Sequence, residues 1–232
     1  MNVIACIICL DLALTSSPDL TETKKASYRE LCATLQELAF PQYPNDAVAA
    51  GLQGDVLVEI DIGKDGRITA AREQSGPAPL AAAARAAVLQ WRFGKGPLAG
   101  SIPQQAEIIF RYQIGRAVAG LSEESDRLVI ITPSEITEAG VINVGGSALS
   151  FLAAKRVQPP FPSGAQRQNM RVEVEVETTD DGRVLESRGG SGNPAYRAAA
   201  EAVARQWTFR RIIHAGKPVR LRGRLVFNWV VN

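Results

Sequence analysis

Apolar and polar residues alternate along one segment in each half of the chain. In both segments every second residue is a branched aliphatic one, which is the pattern of a strand with one buried face. The alternating aliphatic residues are Val56, Val58, Ile60 and Ile62 in the first half and Val172, Val174 and Val176 in the second. Asp65-Gly66 and Asp181-Gly182 follow these segments, and this dipeptide is typical of tight hairpin turns. A return strand is therefore predicted after each turn, around residues 68–74 and 184–188.

The two segments belong to one internal repeat. Residues 54–67 lie over residues 170–183 at a shift of 116 positions. The same shift carries Gln90-Trp91-Arg92-Phe93 onto Gln206-Trp207-Thr208-Phe209 without a gap. Chance agreement in strand, turn, helix start and terminal aromatics together is improbable, so the chain contains one such stretch twice.

A helix and a further strand are predicted after each hairpin. Gly76-Pro77 and Asn193-Pro194 place a permissive or capping residue before a proline, as helix starts prefer. Apolar residues then recur at helical spacing, namely Leu80, Ala84, Val88 and Trp91 in the first copy and Tyr196, Ala200, Val203 and Trp207 in the second. The final alternating runs are Ile108, Phe110, Tyr112 and Ile114, and Leu225, Phe227, Trp229 and Val231. Each helix is expected to cover the apolar face of its sheet.

The predicted fold class is α+β, with two tandem ββαβ units, each a three-stranded antiparallel sheet with a helix packed on one face. The predicted organisation is a signal-like apolar leader at residues 1–25, a first unit at 26–115, a partly ordered connector at 116–150 and a second unit at 151–232. Each such sheet would leave two edges open.

Two shorter segments carry their own predictions. Ser27 to Leu38 has apolar residues at helical spacing and is predicted as a helix that stops before Pro41. In the connector, Leu128 to Ile131 predicts a strand laid on a neighbouring sheet. Thr132-Pro133-Ser134-Glu135 predicts the capping-box start of one helical turn.

Composition is that of an ordinary globular protein, but the charge is unevenly distributed. Of the residues, 46% are hydrophobic and 22% charged. Residues 1–154 carry 12 Lys and Arg against 17 Asp and Glu, whereas residues 155–232 carry 14 against 7. The basic half has no motif of a nucleic-acid-binding fold, so no nucleic-acid partner is predicted and a basic half that faces its acidic neighbour is favoured.

The first 17 residues are mostly apolar, with a break at Asp11, and the stretch is too short to span a bilayer, which takes about 20 apolar residues. They are similar to the apolar core of a secretory signal, with small residues Thr15 to Ser17 at a cleavage position, although no basic residue precedes that core. A degenerate signal and a start that has lost its basic leader both stay open. Cys6 and Cys9 lie inside this leader and are interpreted as two small hydrophobic residues.

Catalytic chemistry finds little support in the sequence. His214 is the single histidine, so no multi-histidine metal site exists, and it is expected to be a solvated imidazole in a loop. Glu173, Glu175 and Glu177 share one strand face and are expected to form a solvated outer surface. The sequence predicts no enzyme activity, no catalytic residue, no metal site, no cofactor and no small-molecule substrate.

The motifs of both copies, in their order and spacing, resemble a known family. They are Pro41-Gln42-Tyr43-Pro44, Asp65-Gly66-Arg67 and Trp91-Arg92-Phe93 in the first copy, and Pro159-Pro160-Phe161-Pro162, Asp181-Gly182-Arg183, Trp207-Thr208-Phe209 and Gly216-Lys217-Pro218 in the second. The chain thereby resembles the C-terminal domain of TonB, the energy transducer of Gram-negative outer-membrane transport, in two tandem copies at about residues 40–114 and 157–231. The second copy lacks the Gln-Tyr pair.

The resemblance implies a periplasmic protein-binding module in energy-dependent transmembrane transport. Such a module binds an extended segment of an outer-membrane receptor, or of another envelope protein, by strand addition, which an exposed edge strand favours physically. In the family the final strand supplies the edge, and the Gln-Tyr-Pro segment lies near the receptor. The implied partner-binding residues are Gln42, Tyr43, Ile108, Phe110, Tyr112 and Ile114. A tether to the membrane by an uncleaved or truncated N-terminal segment is left open.

Two alternatives remain beside this hypothesis. In the first, the protein is a self-associating envelope scaffold without receptor binding, in which one unit pairs its edge with the other unit or with a second chain as a homodimer. In the second, it is an envelope hydrolase, which the missing catalytic residues disfavour.

Overall fold

The computed structural model describes residues 25–95, 102–134, 140–190 and 192–231. The first half contains α1 (Tyr28–Thr34), β1 (Leu35–Phe40), α2 (Asn45–Ala49), β2 (Gly54–Ile62), β3 (Ile68–Ser75), α3 (Ala78–Val88), β4 (Arg92–Phe93) and β5 (Gln105–Gln113). It is followed by β6 (Val118–Glu124), β7 (Arg127–Pro133), β8 (Val141–Val144), α4 (Gly146–Leu152) and β9 (Ala153–Lys155). The second half contains β10 (Met170–Thr178), β11 (Val184–Gly189), α5 (Pro194–Ala204), β12 (Thr208–Phe209), β13 (Arg211–His214) and β14 (Lys217–Trp229). Of the predicted leader, residues 1–24 lie outside the described residues, as do Cys6 and Cys9.

Twelve of these strands join into one mixed sheet. Its order is β3-β2-β5-β7-β6-β8-β14-β13-β1-β4, and β10 and β11 branch from β14. The prediction of two tandem ββαβ units, each with its own three-stranded sheet, is therefore wrong. The connector strands β6, β7 and β8 link β5 to β14, and β1 pairs in parallel with β13. These strands satisfy backbone groups that two separate sheets would leave open at their edges.

The predicted hairpins form inside this larger sheet. β2 pairs antiparallel with β3 and β5, and β10 pairs antiparallel with β11 and β14. Helix α3 packs on β2 and β3, whereas α5 packs on β10 and β11. The alternating aliphatic residues of β2 and β10 are all buried, which confirms the inner face that the alternation predicted.

Trp91 and Trp207 occupy similar environments beside these helices. The indole N–H of Trp91 donates to the carbonyl oxygen of Ala39 at 2.9 Å, and that of Trp207 donates to Val157 at 2.8 Å. Both rings are buried. Full burial of an aromatic ring of this size contributes about 1.5 to 3 kcal/mol or more. The two indole hydrogen bonds connect the chain just after each helix to a segment earlier in the sequence, at Ala39 and at Val157.

The N-terminal helix is shorter than the sequence predicted. Ser27 and Glu30 form a capping box at its start, but α1 ends at Thr34 rather than continuing to Leu38. The chain from Leu35 onward is β1, which lies between β4 and β13. Two neighbouring strands satisfy the backbone here, so tertiary pairing overrides the helical spacing.

The described part of the connector belongs to the sheet. The predicted strand at Leu128 to Ile131 lies within β7, which pairs with β5. The predicted capping-box turn does not form at its first two positions, because Thr132 and Pro133 still belong to β7. Glu135 lies outside the described residues.

Arg210 joins three parts of the chain. Its guanidinium donates to the carbonyl oxygens of Cys32, Leu35 and Phe151 at 2.7, 2.5 and 2.5 Å. These carbonyls lie at the C-terminal ends of α1 and α4, where helix dipoles favour a positive charge. Burial lowers the pKa of Arg210. The residue therefore holds both helices against the second half of the chain.

Candidate functional site

The predicted edge strand lies in the interior of the sheet. β5 pairs with β2 on one side and with β7 on the other, with Ile108 opposite Leu128 in the parallel β5–β7 pair. The side chains of Ile108, Phe110 and Tyr112 are buried, and Ile114 is half-buried. The expectation that β5 offers a free edge is therefore wrong, because the chain's own connector occupies that edge.

Tyr43 is packed into the core, whereas Gln42 is exposed. The Tyr43 hydroxyl donates to the carbonyl oxygen of Leu52 at 2.7 Å, and its ring meets Tyr112 edge-on with centroids 5.1 Å apart. Burial raises the pKa of Tyr43. Tyr43 and Tyr112 are thus brought together as packing partners, and Gln42 is the predicted residue whose side chain reaches solvent.

Gln42 lies at a shallow groove of about 390 Å³ that is lined by residues from both halves of the chain. Small residues of α3, including Ala83 and Ala87, line it together with the Ala215-Gly216 turn between β13 and β14. Beside this turn, the His214 ring Nδ1 is 3.3 Å from the Phe40 carbonyl oxygen. His214 is half-buried at the end of β13 rather than solvated in a loop, and burial lowers its pKa.

One stretch of β14 has a strand neighbour on one side only. From Arg222 to Trp229, β14 pairs with β10. On its other side β8 pairs with Arg220 to Arg222 and goes no further. Within the described part of the chain no strand pairs with that second side from Gly223 onward. We call this second side, over residues 224–229, the open edge.

The hydrogen-bonding groups of Val226 and Asn228 face the open edge. The Arg220 N–H donates to the Gly140 carbonyl beside β8, and the Leu221 N–H donates to Thr178 Oγ1 on the β10 side. Backbone groups alternate in direction along a strand, so even-numbered residues of this stretch point away from β10. Val226 is 39% exposed, and Val230, just beyond the strand, is 64% exposed.

We call the side of β5 that pairs with β7 the covered edge. The open edge has the same position on β14 as the covered edge has on β5. Val56 lies opposite Phe110 in the β2–β5 pair, and Val172 lies opposite Phe227 in the β10–β14 pair. Gly54 opposite Tyr112 likewise corresponds to Met170 opposite Trp229. The two final strands are therefore in the same register, and they differ in that β7 covers one of them.

Charges around the covered edge are closely paired. Glu107 on β5 accepts a hydrogen bond from Lys25 at 2.5 Å and another from Arg127 of β7 at 2.5 Å. The Lys25 ammonium holds the pKa of Glu107 below its usual value, with a further contribution from Arg127. Arg111 of β5 pairs with Asp55 at 2.7 Å and with Glu124 at 2.9 Å. The covered edge is thus sealed by charge as well as by backbone pairing.

The outer face beside the open edge is basic. Arg224 is 70% exposed, and its guanidinium lies 3.7 Å from the Glu173 carboxylate. Arg220 and Arg222 both pair with Glu177, at 2.7 and 2.6 Å. A new strand at this edge would therefore meet arginine side chains as well as free backbone groups.

The described residues contain no group of three or more His, Cys, Asp or Glu side chains that could hold a metal ion. No helix formed by these residues is long and apolar enough to cross a membrane.

Comparison with known families agrees with part of this geometry. Residues 39–114 match the family described as Gram-negative bacterial TonB protein C-terminal. The matched stretch runs from β1 to the end of β5, and it does not extend to residues 157–231. The match supports the TonB resemblance of the first copy and indicates an envelope protein-interaction role of the TonB type. No curated protein and no solved structure matches the chain significantly.

Sequence reasoning assigned the partner-binding edge to β5 and not to β14, although the sequence signals of the strands concerned were present. The run from Leu225 to Val231 marks the last strand of the second copy, and the run from Leu128 to Ile131 marks the strand that covers the first. The sequence does not give the pairing of β7 with β5 rather than with β14. That choice depends on contacts between residues distant in the chain.

Proposed function

We propose that this protein is a periplasmic TonB-like binding module that holds an extended segment of an outer-membrane receptor, or of another envelope protein, by strand addition at the open edge of β14. The observation that carries the proposal is the one-sided pairing of residues 224–229. Unpaired N–H and C=O groups on an exposed strand bind a partner backbone with the regular hydrogen bonds of a sheet.

The proposal includes a second TonB-like copy at residues 157–231, merged with the first into one sheet. Its support is the equivalent register of β10–β14 and β2–β5 and the equivalent bonds of Trp91 and Trp207. The family's final strand would then occur twice, as β5 and β14. Because β7 fills the edge of β5, the edge available to a partner is that of β14.

Helix α4 contacts β14 beside the start of the open edge, where a Cβ on Gly146 would lie 3.0 Å from the Arg224 carbonyl oxygen. In the first half the Ala26 N–H donates to Gln105 at the start of β5, α1 follows, and β7 still pairs with Ile108 onward. In the second half β8 pairs with β14 up to Arg222, and α4 follows in the same way. We therefore expect a partner strand to pair with β14 from Val226 onward, in the way that β7 pairs with β5 beside α1.

Gln42 remains a proposed partner contact, at a different place from the open edge. Its exposed amide and that of Gln90 border the groove, and they could hydrogen-bond the backbone of a segment lying there. The backbone of Ile108, Phe110 and Tyr112 already pairs with β2 and β7, so these residues would not contact a partner strand directly. Their buried side chains would stabilise the sheet from the core.

A proline at the open edge tests the proposed function. Asn228→Pro removes an N–H that faces solvent, so the fold should persist, whereas a partner strand would lose a donor and meet the ring. Synthetic peptides of receptor N-terminal segments should shift the amide resonances of Val226 and Asn228 in the unmodified protein. Asn228→Ala, which keeps the N–H, should bind like the unmodified protein, and Asn228→Pro should lose at least tenfold in affinity.

The outcomes separate strand addition from the alternatives. Saturable binding that is unaffected by Asn228→Pro would place the contact elsewhere and reject the proposal. Self-association is the second candidate, because the same edge with exposed Val226 and Val230 could pair with a second copy. Sedimentation over a concentration series should find a monomer; a dimer abolished by Asn228→Pro would favour the scaffold instead.

A further inference from the structure

We infer that the short strand β9 is a second interaction surface, which binds an extended acidic segment of a partner protein alongside Lys155 and Arg156. This surface is separate from β14, and the inference does not depend on the proposed function. It adds the charge and the orientation of the segment that the surface fits.

β9 has in the second half the position that β1 has in the first. The equivalent residue pairs are Leu35–Phe93 and Ala153–Phe209, and Glu37–Arg92 and Lys155–Thr208. Two residues further along each segment, the Ala39 and Val157 carbonyl oxygens accept the indole N–H groups of Trp91 and Trp207. Residues 155–158 therefore correspond one by one to residues 37–40.

The two segments differ in their second neighbour. β1 lies between β4 and β13, and it pairs in parallel with β13 over residues 37–40. β9 pairs with β12, and no strand within the described part of the chain pairs with its other side. We call this other side, over residues 155–158, the β9 edge. Lys155, Arg156 and Gln158 are exposed there, and Val157 is half-buried.

The backbone groups of Arg156 and Gln158 face the β9 edge. The Val157 carbonyl oxygen accepts the Trp207 indole N–H at 2.8 Å. Backbone groups alternate in direction along a strand, so those of the residues on either side point the opposite way. In the first half the Phe40 carbonyl oxygen, which corresponds to that of Gln158, accordingly lies 3.3 Å from the imidazole ring of β13. A parallel strand can therefore bond to the β9 edge as β13 bonds to β1.

The β9 edge carries two cations without a carboxylate partner among the described residues. In the first half Glu37 lies opposite Arg211, and their charged groups are 3.9 Å apart. Lys155 stands at the position of Glu37, so the sign of the charge is reversed. Arg156 follows, and its guanidinium donates to the Ser150 carbonyl oxygen at 2.5 Å. Acidic side chains opposite these two residues would gain charge-assisted hydrogen bonds, whereas basic ones would be repelled.

β13 indicates the rest of the matching segment. Ile212 and Ile213 lie opposite Leu38 and Ala39 and are buried. The residue opposite Val157 corresponds to Ile213, so a β-branched apolar residue is expected there. The segment that fits thus has two acidic residues followed by a β-branched one, and it adds parallel to β9.

Two capped peptides test the inference on the full chain. Both contain residues 209–216, with either glutamate or lysine in place of Arg211 and Ile212. The glutamate peptide should shift the amide resonances of Arg156 and Gln158 and bind about three- to tenfold more tightly than the lysine peptide. Added salt should reduce this difference.

Lys155→Glu tests the role of charge. It should abolish or reverse the preference for the glutamate peptide. Lys64→Glu is the matched control, because Lys64 is an exposed lysine in the turn between β2 and β3. It changes the net charge equally and should leave the preference intact.

Gln158→Pro tests the role of the backbone. The substitution removes an N–H that faces the β9 edge, so the fold should persist while the glutamate peptide loses a donor. Binding should weaken about fivefold. Gln158→Ala keeps the N–H and should bind like the unmodified protein.

Each outcome supports or overturns the inference. Equal binding of the two peptides, a preference that survives Lys155→Glu, or binding unaffected by Gln158→Pro would overturn it. Absence of binding would also overturn it, and would show that the two cations and Pro159 protect the β9 edge from pairing. Shifts confined to Val226 and Asn228 would place the peptide at the open edge of β14, which overturns the role of β9 and leaves the proposed function standing.

Discussion

Gly66 and Gly182 lie where the fold leaves no room for a side chain. Their φ angles are +78° and +84°, which L-residues rarely adopt. A Cβ on Gly66 would lie 1.8 Å from the Phe93 carbonyl oxygen, and a Cβ on Gly182 would lie 2.1 Å from that of Phe209. Each glycine therefore serves both the hairpin turn and the close approach of the strand that follows the helix.

We expect Gly66→Ala to lower the free energy of unfolding by about 2 to 4 kcal/mol, because backbone strain and overlap with a carbonyl oxygen both contribute. Gly51→Ala is the matched control, since Gly51 has a φ of +67° but open space around its Cβ position. It should cost about 1 kcal/mol. Urea denaturation measures both, and equal losses would show that the close approach is unimportant.

Arg210 is a residue whose importance the sequence does not reveal. Arg210→Met should destabilise the protein by about 2 to 4 kcal/mol, because three carbonyl oxygens lose a charged donor. The adjacent Arg211 is 53% exposed and lies 3.9 Å from Glu37. Arg211→Met should therefore stay within about 0.5 kcal/mol of the unmodified protein in the same urea measurement.

At the level of elements, the N-terminal segment is held to the sheet by charge. Lys25 lies 2.8 Å from the Glu59 carboxylate of β2 and 2.5 Å from Glu107 of β5. The Lys25 hydrogen bond is the main cause that lowers the pKa of each carboxyl. Acidic side chains of neighbouring strands, which would otherwise repel each other, thus share one ammonium group.

Acid should weaken this attachment in a predictable pH window. A carboxyl with a lowered folded-state pKa stabilises the fold fully above its ordinary value near 4.5, and this contribution disappears as the pH falls through the lower folded value. Lys25→Ala should therefore flatten the fall in Tm between about pH 5 and about pH 3. Lys64→Ala, at an exposed lysine, should not; an unchanged slope in Lys25→Ala would contradict the assignment.

The elements themselves were predicted best where local pattern and tertiary demand agree. β2, β10, α3 and α5 follow from alternation, turn dipeptides and helical spacing. The prediction was wrong at Leu35, where helical spacing continues but β4 and β13 make the segment a strand. Local periodicity reports which face is buried, and it does not report which backbone lies alongside.

On the scale of the whole molecule, the two halves share strands that neither could replace. β7 completes the edge of β5, β8 borders β14, and β1 lies against β13. A fragment of residues 26–115 would lose β7 and β13, and a fragment of 151–232 would lose β8 and β1. Each fragment would expose backbone and apolar surface that the intact chain covers.

The intact protein should unfold in one cooperative step. Trp91 reports on the first half and Trp207 on the second, so single-tryptophan variants should give coincident urea transitions. Each isolated fragment should be markedly less stable than the whole. Two separated transitions, or fragments as stable as the intact chain, would contradict the merged sheet.

Sequence by itself determined the inner faces, the turn glycines and the TonB resemblance of residues 39–114, because each motif involved is encoded within a few neighbouring residues. It also supplied Gln42, the one predicted partner contact with an exposed side chain. Only the tertiary structure decided that β7 covers β5 while residues 224–229 of β14 stay open. An edge is defined by the absence of a neighbouring strand, and which strands become neighbours depends on long-range pairing that local pattern does not encode.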